Sequence, residues 1–113
     1  MAAVANLRID QGTTFTSDVT VTDNDGSAFN LLGYTAQAKM ALGYSSTRTR
    51  VTITATVSDV ANGVVTLSLT ADQTSALEAP ARYVYDVEIT RTSDSTITRV
   101  IEGIITVHPQ VTT

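Results

Sequence analysis

The chain has 113 residues, no cysteine, and a formal charge of −4 from 7 Lys and Arg against 11 Asp and Glu. This length suits one domain with its own core, the absence of cysteine excludes disulfides and thiolate metal sites, and the acidic balance argues against nucleic acid as a main partner. Met1 to Asn6 lack the basic start and apolar run of a signal peptide. No stretch approaches the roughly 20 apolar residues of a membrane span. The 21 Thr and 13 Val favour strands, because β-branched side chains fit a pleated surface.

The first third of the chain predicts one entering segment and one clear strand. Val4–Asp10 is predicted to be a short strand or an arm. From Thr13 to Thr22 apolar and polar residues alternate, which indicates a half-buried antiparallel strand. Its predicted inward residues are Phe15, Ser17, Val19 and Val21. The following Asp23-Asn24-Asp25-Gly26 is typical of a turn.

Tyr34–Leu42 has a composition that also favours a helix, because it contains Ala, Lys, Met and Leu. Its apolar residues nevertheless recur at every second position, and Gly33 and Gly43 bound it. A period of two is that of a strand, so we predict a strand here.

Arg50–Ser58 alternates β-branched apolar residues and Ala with Thr, which makes it the clearest strand of the sequence. Val64–Leu69 is the predicted partner strand, and Asn62-Gly63 is the tight point of the turn between them. The two segments are therefore predicted to form a hairpin.

The last third predicts one short helix and two strands. Thr70 followed by Gln73 matches a capping box, so one or two helical turns are expected near residues 71–77. Arg82–Thr90 and Thr96–Val107 are the remaining strands. Gly103 inside the second of them indicates a bulge or a close approach of another backbone.

Seven predicted strands joined by short turns indicate a single all-β domain over residues 1–113. The predicted architecture is an immunoglobulin-like antiparallel β-sandwich, without the disulfide and core tryptophan of antibody domains. The core is expected to contain Val51, Ile53, Val65, Leu67, Leu69, Val87 and Ile89.

The sequence offers little for catalysis or metal binding, and we expect no enzyme activity, no cofactor and no metal. His108 is the only histidine, and a metal site needs several converging ligands. The Asp23–Gly26 segment starts like a calcium loop but lacks the spacing and the glutamate of an EF-hand, so a plain turn is favoured.

Three further pairs of residues were weighed as sites. Asp86 and Glu88 share one strand face, where a solvated face with pairing to Arg82, Arg91 or Arg99 is favoured over an acid/base pair. Arg48 and Arg50 lack the glycine-rich loop and helix of a phosphate site. Tyr34 and Tyr44 are either contact residues or the edge of the core, and the core is favoured.

Three runs in the second half resemble small virion proteins of tailed bacteriophages and prophages: Leu67–Leu77, Tyr83–Ile89 and Thr98–Thr112. The first half agrees in outline, in Ile9-Asp10-Gln11-Gly12, in the Asp-x-Asp-Gly turn and in Leu32-Gly33-Tyr34-Thr35-Ala36. The layout is also similar to the N-terminal domain of phage baseplate upper proteins.

This resemblance implies an immunoglobulin-like sandwich that occurs in many copies in a virion, as a capsid decoration or cement protein or as a neck or baseplate subunit. It also implies other virion proteins as partners and assembly in the host cytoplasm. The alternative is a module of a phage fibre that binds glycans or proteins of the host surface. The termini, Met1–Leu7 and Gln110–Thr113, are expected to be arms without a packing partner in their own chain.

Overall fold

The computed structural model describes residues 3–23, 26–43 and 49–111. These residues form eight strands and one short helix in chain order. The elements are β1 (Ala3–Val4), β2 (Leu7–Asp10), β3 (Phe15–Thr20), β4 (Tyr34–Ala41), β5 (Val51–Asp59), β6 (Val64–Leu69), α1 (Ala71–Ser75), β7 (Ala81–Arg91) and β8 (Ile97–His108).

The strands form one continuous, curled path in the order β1-β8-β7-β4-β5-β6-β3, with β2 beside β8. The first part of β5 pairs with β4, and Thr54–Asp59 pairs with β6. Two layers result: layer A contains β1, β2, β8, β7, β4 and the start of β5, and layer B contains the rest of β5 with β6 and β3. Strand β5 therefore belongs to both layers.

The strand order is that of an immunoglobulin-like fold. Strands β3, β6 and β5 take the places of B, E and D in one sheet, and β4, β7 and β8 take those of C, F and G in the other. The all-β, immunoglobulin-like prediction is confirmed.

The prediction of a wholly antiparallel sandwich is wrong at one edge. Strands β1 and β2 run parallel to β8, with Ala3 opposite Ile101 and Leu7 opposite Ile105. The expectation that residues up to Leu7 have no partner in the chain is therefore also wrong. The physical reason is the length of β8, whose 12 residues offer pairing positions to both short strands.

The inner faces of both layers share one hydrophobic core. Six of the seven predicted core residues are at most 2% exposed, and the seventh, Val51, is half-buried and packs against the others. Sequence alternation did not single out Ile9 and Leu31, which are also fully buried.

The local predictions of the hairpin, the helix and the Tyr34 strand are confirmed. Strands β5 and β6 pair antiparallel, and Gly63 takes a positive φ of 69° in the turn. Thr70 caps α1: its hydroxyl accepts a hydrogen bond from the Gln73 N–H, while the Gln73 side chain accepts one from the Thr70 N–H. Tyr34–Ala41 forms β4 at the centre of layer A.

Gly103 lies where another backbone passes close to β8. A Cβ at this position would clash with the carbonyl oxygen of Ala5, in the link between β1 and β2. The irregularity of β8 lies elsewhere, at Val100, where the register shifts between Val87 and Glu88. Of the two explanations offered for this glycine, close backbone approach is the correct one.

A membrane-crossing helix, long and apolar enough for the purpose, is not found among the residues that the structure covers.

Candidate interaction surface

His108 ends β8 and is half-buried, with Asp10 of β2 at the paired position. Within the described ranges, no group of three or more His, Cys, Asp or Glu side chains could hold a metal ion. The structure therefore brings together no ligand set around His108.

The Asp23–Gly26 segment is a tight turn in its described part. The Asp23 N–H donates to Ser27 O at 2.8 Å, and the Gly26 N–H donates to Asp23 O at 3.0 Å. Gly26 takes a positive φ of 85°, which glycine adopts readily. Asn24 and Asp25 lie outside the described residues, so the turn is established only through its ends.

Asp86 and Glu88 lie on the outer face of layer A in a solvated network. Arg99 Nε lies 3.2 Å from Asp86 Oδ2, which confirms the predicted cross-strand partner. Glu88 Oε1 accepts a hydrogen bond from the Gln37 side chain at 3.2 Å. Arg50 lines the same shallow groove as these carboxylates. Each carboxylate thus has a polar neighbour on an open face, which favours the solvated interpretation over acid/base chemistry.

Tyr34 lies half-buried at the edge of the core. Its ring packs edge-on against Phe29 at 5.3 Å between centroids, and the Arg91 guanidinium lies 5.8 Å from its centroid. Arg91 also donates hydrogen bonds to the Tyr34 hydroxyl at 3.2 and 3.3 Å, and this contact raises the pKa of Arg91. These contacts support the core-edge interpretation. Tyr44 and Arg48 lie outside the described residues.

Asp94 is fixed in the β7–β8 turn beside this cluster. The backbone N–H of Thr96 donates to Asp94 Oδ1 at 3.1 Å, and this bond lowers the pKa of the carboxyl group. The turn is also tied to the loop before β4, since the Thr92 N–H donates to Gly33 O at 2.9 Å. This end of the sandwich is therefore held by backbone contacts between loops.

Tyr85 fixes the N-terminal segment against layer A. Its hydroxyl, which is nearly fully buried, donates to Ala5 O, and burial raises its pKa to about 12. The Asn6 side chain accepts a hydrogen bond from the Ile104 N–H at 3.1 Å. Residues between β1 and β2 thus make specific contacts with β7 and β8.

Thr74 is a structural residue that the sequence analysis did not single out. It is fully buried, and its hydroxyl accepts a hydrogen bond from the Gly12 N–H at 3.0 Å and lies 2.8 Å from Thr13 O. It joins α1 to the link between β2 and β3. A threonine among 21 carries no sequence signal of such a role, because the contact spans more than 60 residues.

The most accessible pairing surface is the free edge of β3. Strand β3 ends the strand path and pairs only with β6. The Val21 N–H donates to Gly63 O, and the direction of backbone groups alternates along an antiparallel strand. The N–H and C=O groups of Thr16, Asp18 and Thr20 therefore point away from β6. Within the described ranges, no loop forms a backbone hydrogen bond with them.

A groove runs beside the first half of this edge, between layers A and B. It exists because β2 pairs with β8 in layer A and does not pair with β3 in layer B. The groove is lined by Leu7, Arg8, Asp10, Thr13, Thr14, Phe15, Thr16 and Ser17. The free edge thus lies next to partly apolar walls.

Comparisons with known proteins place the fold but no relative by sequence. No family model matches the chain, and no curated protein matches it. Among solved structures, the crystal structure of ICOS in complex with ICOS-L and an anti ICOS-L VNAR domain is similar at a TM-score of 0.44 and 12% identity. The match covers 96% of this chain and 56% of that chain, so this chain spans little more than half of it. The fold assignment rests on the strand order.

Proposed function

We propose that this chain is a non-enzymatic structural subunit of a tailed bacteriophage particle. The observation that carries the proposal is the pair of free sheet edges, β3 on layer B and β1 with β2 on layer A, at the two ends of one strand path. Free edges bind extended segments through backbone hydrogen bonds, which is a common mode of docking. The place in the particle is a capsid decoration or cement position, or a neck or baseplate position.

The resemblance of Tyr83–Ile89 and Thr98–Thr112 to phage virion proteins supports this setting. These residues lie in β7 and β8, the two longest strands, which pair along most of their length. The conserved-looking pattern thus coincides with the framework of the domain and not with a ligand pocket. Such a role needs a rigid scaffold present in many copies, because weak contacts become firm when they are repeated on a lattice.

The alternative of a glycan-binding module has less support. Sugar platforms stack on exposed aromatic rings, and the described tyrosines are not available for stacking. Tyr83 and Tyr85 are at most 5% exposed, and Tyr34 is packed between Phe29 and Arg91. The described part of the chain therefore offers no aromatic platform.

The test is to purify particles made from the genome that encodes this chain, and to detect the chain by mass spectrometry and by gold-labelled antibody in the electron microscope. We expect many copies at regular positions on the capsid, neck or baseplate. Absence of the chain from purified particles contradicts the proposal. A glycan array serves as the matched experiment, and specific glycan binding without incorporation favours the host-surface alternative.

A further inference from the structure

We propose that the β3 edge accepts an extended segment that carries lysine or arginine, contributed by a different protein. The proposal deepens the proposed function, on which it rests for its setting in a particle, by naming the edge and the chemistry of the bound segment. It follows from three properties of layer B: the free backbone groups, the groove beside them and the distribution of charge.

The backbone geometry defines where the segment pairs. Thr16, Asp18 and Thr20 direct their N–H and C=O groups outward, and their side chains are exposed on the outer face of layer B. A strand added here extends the order β5-β6-β3 by one. Alternate residues of that strand face outward beside these side chains, because successive side chains of a strand point to opposite faces.

The groove defines what the inward residues meet. Its walls include the half-buried Leu7 of β2 and the ring of Phe15 at the start of β3. Inward residues of an added strand lie between layers A and B over these two side chains. Small or medium apolar residues at alternate positions fit such a setting.

The charge distribution defines what the outward residues carry. Strands β3 and β6 and the Thr54–Asp59 part of β5 are fully described and contain no Lys or Arg. The described cations lie on layer A or directly before β5: Arg8, Lys39, Arg50, Arg82, Arg91 and Arg99. On layer B, Asp18 accepts a hydrogen bond from the neutral Thr66 hydroxyl at 2.7 Å. An incoming strand therefore meets a carboxylate with no cation on its own sheet.

The same carboxylate disfavours a second copy of β3 as the occupant. Two β3 strands paired about Asp18 place one carboxylate opposite the other, and like charges at opposed positions are destabilising. Acidic residues on an edge strand are also a common means of preventing pairing between identical edges. Asp18 thus selects against self-pairing and for a basic partner.

The test uses the full chain, labelled with ¹⁵N, and two synthetic nine-residue peptides. One alternates valine with lysine and the other alternates valine with glutamate. We expect the lysine peptide to shift the amide signals of Thr16, Asp18 and Thr20 and to slow their hydrogen exchange. We expect it to bind about fivefold more tightly than the glutamate peptide, the order that a change from attraction to repulsion at one cross-strand pair produces.

Three variants make the result specific to Asp18. Asp18→Lys is expected to reverse the preference between the peptides, and Asp18→Asn, which retains an acceptor for Thr66, is expected to abolish it. Asp72→Lys is the matched control, because it makes the same change of charge on the exposed side of α1, away from the edge. This variant is expected to keep the preference for lysine.

Signal shifts confined to layer A, equal binding of both peptides, or loss of the preference in Asp72→Lys each overturn the inference. Particle incorporation separates this result from the proposed function. If the wild-type chain is absent from particles, the virion role fails while the peptide result stands. If the wild-type chain and Asp18→Lys are incorporated equally, the virion role stands and the basic-segment inference fails.

Discussion

At the scale of single residues, the buried Thr74 hydroxyl is the clearest target for a stability measurement. It is the only buried polar side chain in the described part of the chain. It serves the Gly12 N–H and lies near Thr13 O. Thr74→Val keeps the shape and leaves these groups without their partner, so we expect a loss of about 1 to 3 kcal/mol in the free energy of unfolding. Chemical denaturation measures the change.

The matched control for that prediction is Thr66→Val. The Thr66 hydroxyl also makes hydrogen bonds, to Asp18 and Ser58, but on the outer face of layer B where water replaces them. We expect a change within about 0.5 kcal/mol. Equal losses in the two variants contradict the role assigned to Thr74.

Residues differ in how far the sequence could predict them. Gly103 was predicted, because a glycine inside a β-branched run has few explanations and the passage of Ala5 is one of them. Thr74 was not, because its partners Gly12 and Thr13 lie across the molecule. The free edge at Asp18 also depends on which strands fail to pair, and a single strand's alternation carries no information on that.

At the scale of elements, local signals predicted the helix cap and the β5–β6 hairpin, since both depend on residues that are close in sequence. The parallel pairing of β1 and β2 with β8 was missed. Their contacts join residues about 98 positions apart, and two or four residues are too short to show a period. Leu7 and Ile9 on the inner face were the available signal, but they do not identify the partner strand.

Deletion of residues 1–6 tests whether this missed pairing stabilises the fold. It removes β1, the Ala5 N–H bond to Glu102 O at 2.9 Å, and the acceptor of the buried Tyr85 hydroxyl. We expect the domain to fold with β2 in place, but with a loss of about 2 to 4 kcal/mol, of which a buried hydroxyl without a partner accounts for a large part. Thermal and denaturant unfolding measure it.

Deletion of residues 111–113 is the comparison for the other terminus. Val111 is 96% exposed, so its removal is expected to change stability by no more than about 0.5 kcal/mol. If both deletions are neutral, the first six residues behave as the arm that the sequence predicted. If only the first destabilises, the strand assignment is correct and any arm docking is restricted to the C-terminal end.

At the scale of the whole molecule, the shared strand β5 couples the two layers. Its Ile53 pairs within layer A opposite Ala38, while Ala55 pairs within layer B opposite Leu67. Both layers also contribute to a single core. Neither layer can lose its packing without exposing the inner face of the other, so we expect one cooperative unfolding transition.

Leu67→Ala tests this coupling from layer B. Leu67 is fully buried, and its truncation is expected to cost about 2 to 5 kcal/mol. Tyrosine fluorescence reports on layer A, because Tyr34, Tyr83 and Tyr85 all lie in β4 or β7, whereas far-UV circular dichroism reports on all strands. If the layers are coupled, a substitution in β6 shifts the midpoints of both signals by the same amount. A fluorescence midpoint that stays at its wild-type value while the dichroism midpoint falls means that layer A is stable by itself, and a loss under about 0.5 kcal/mol means that Leu67 does not belong to the core.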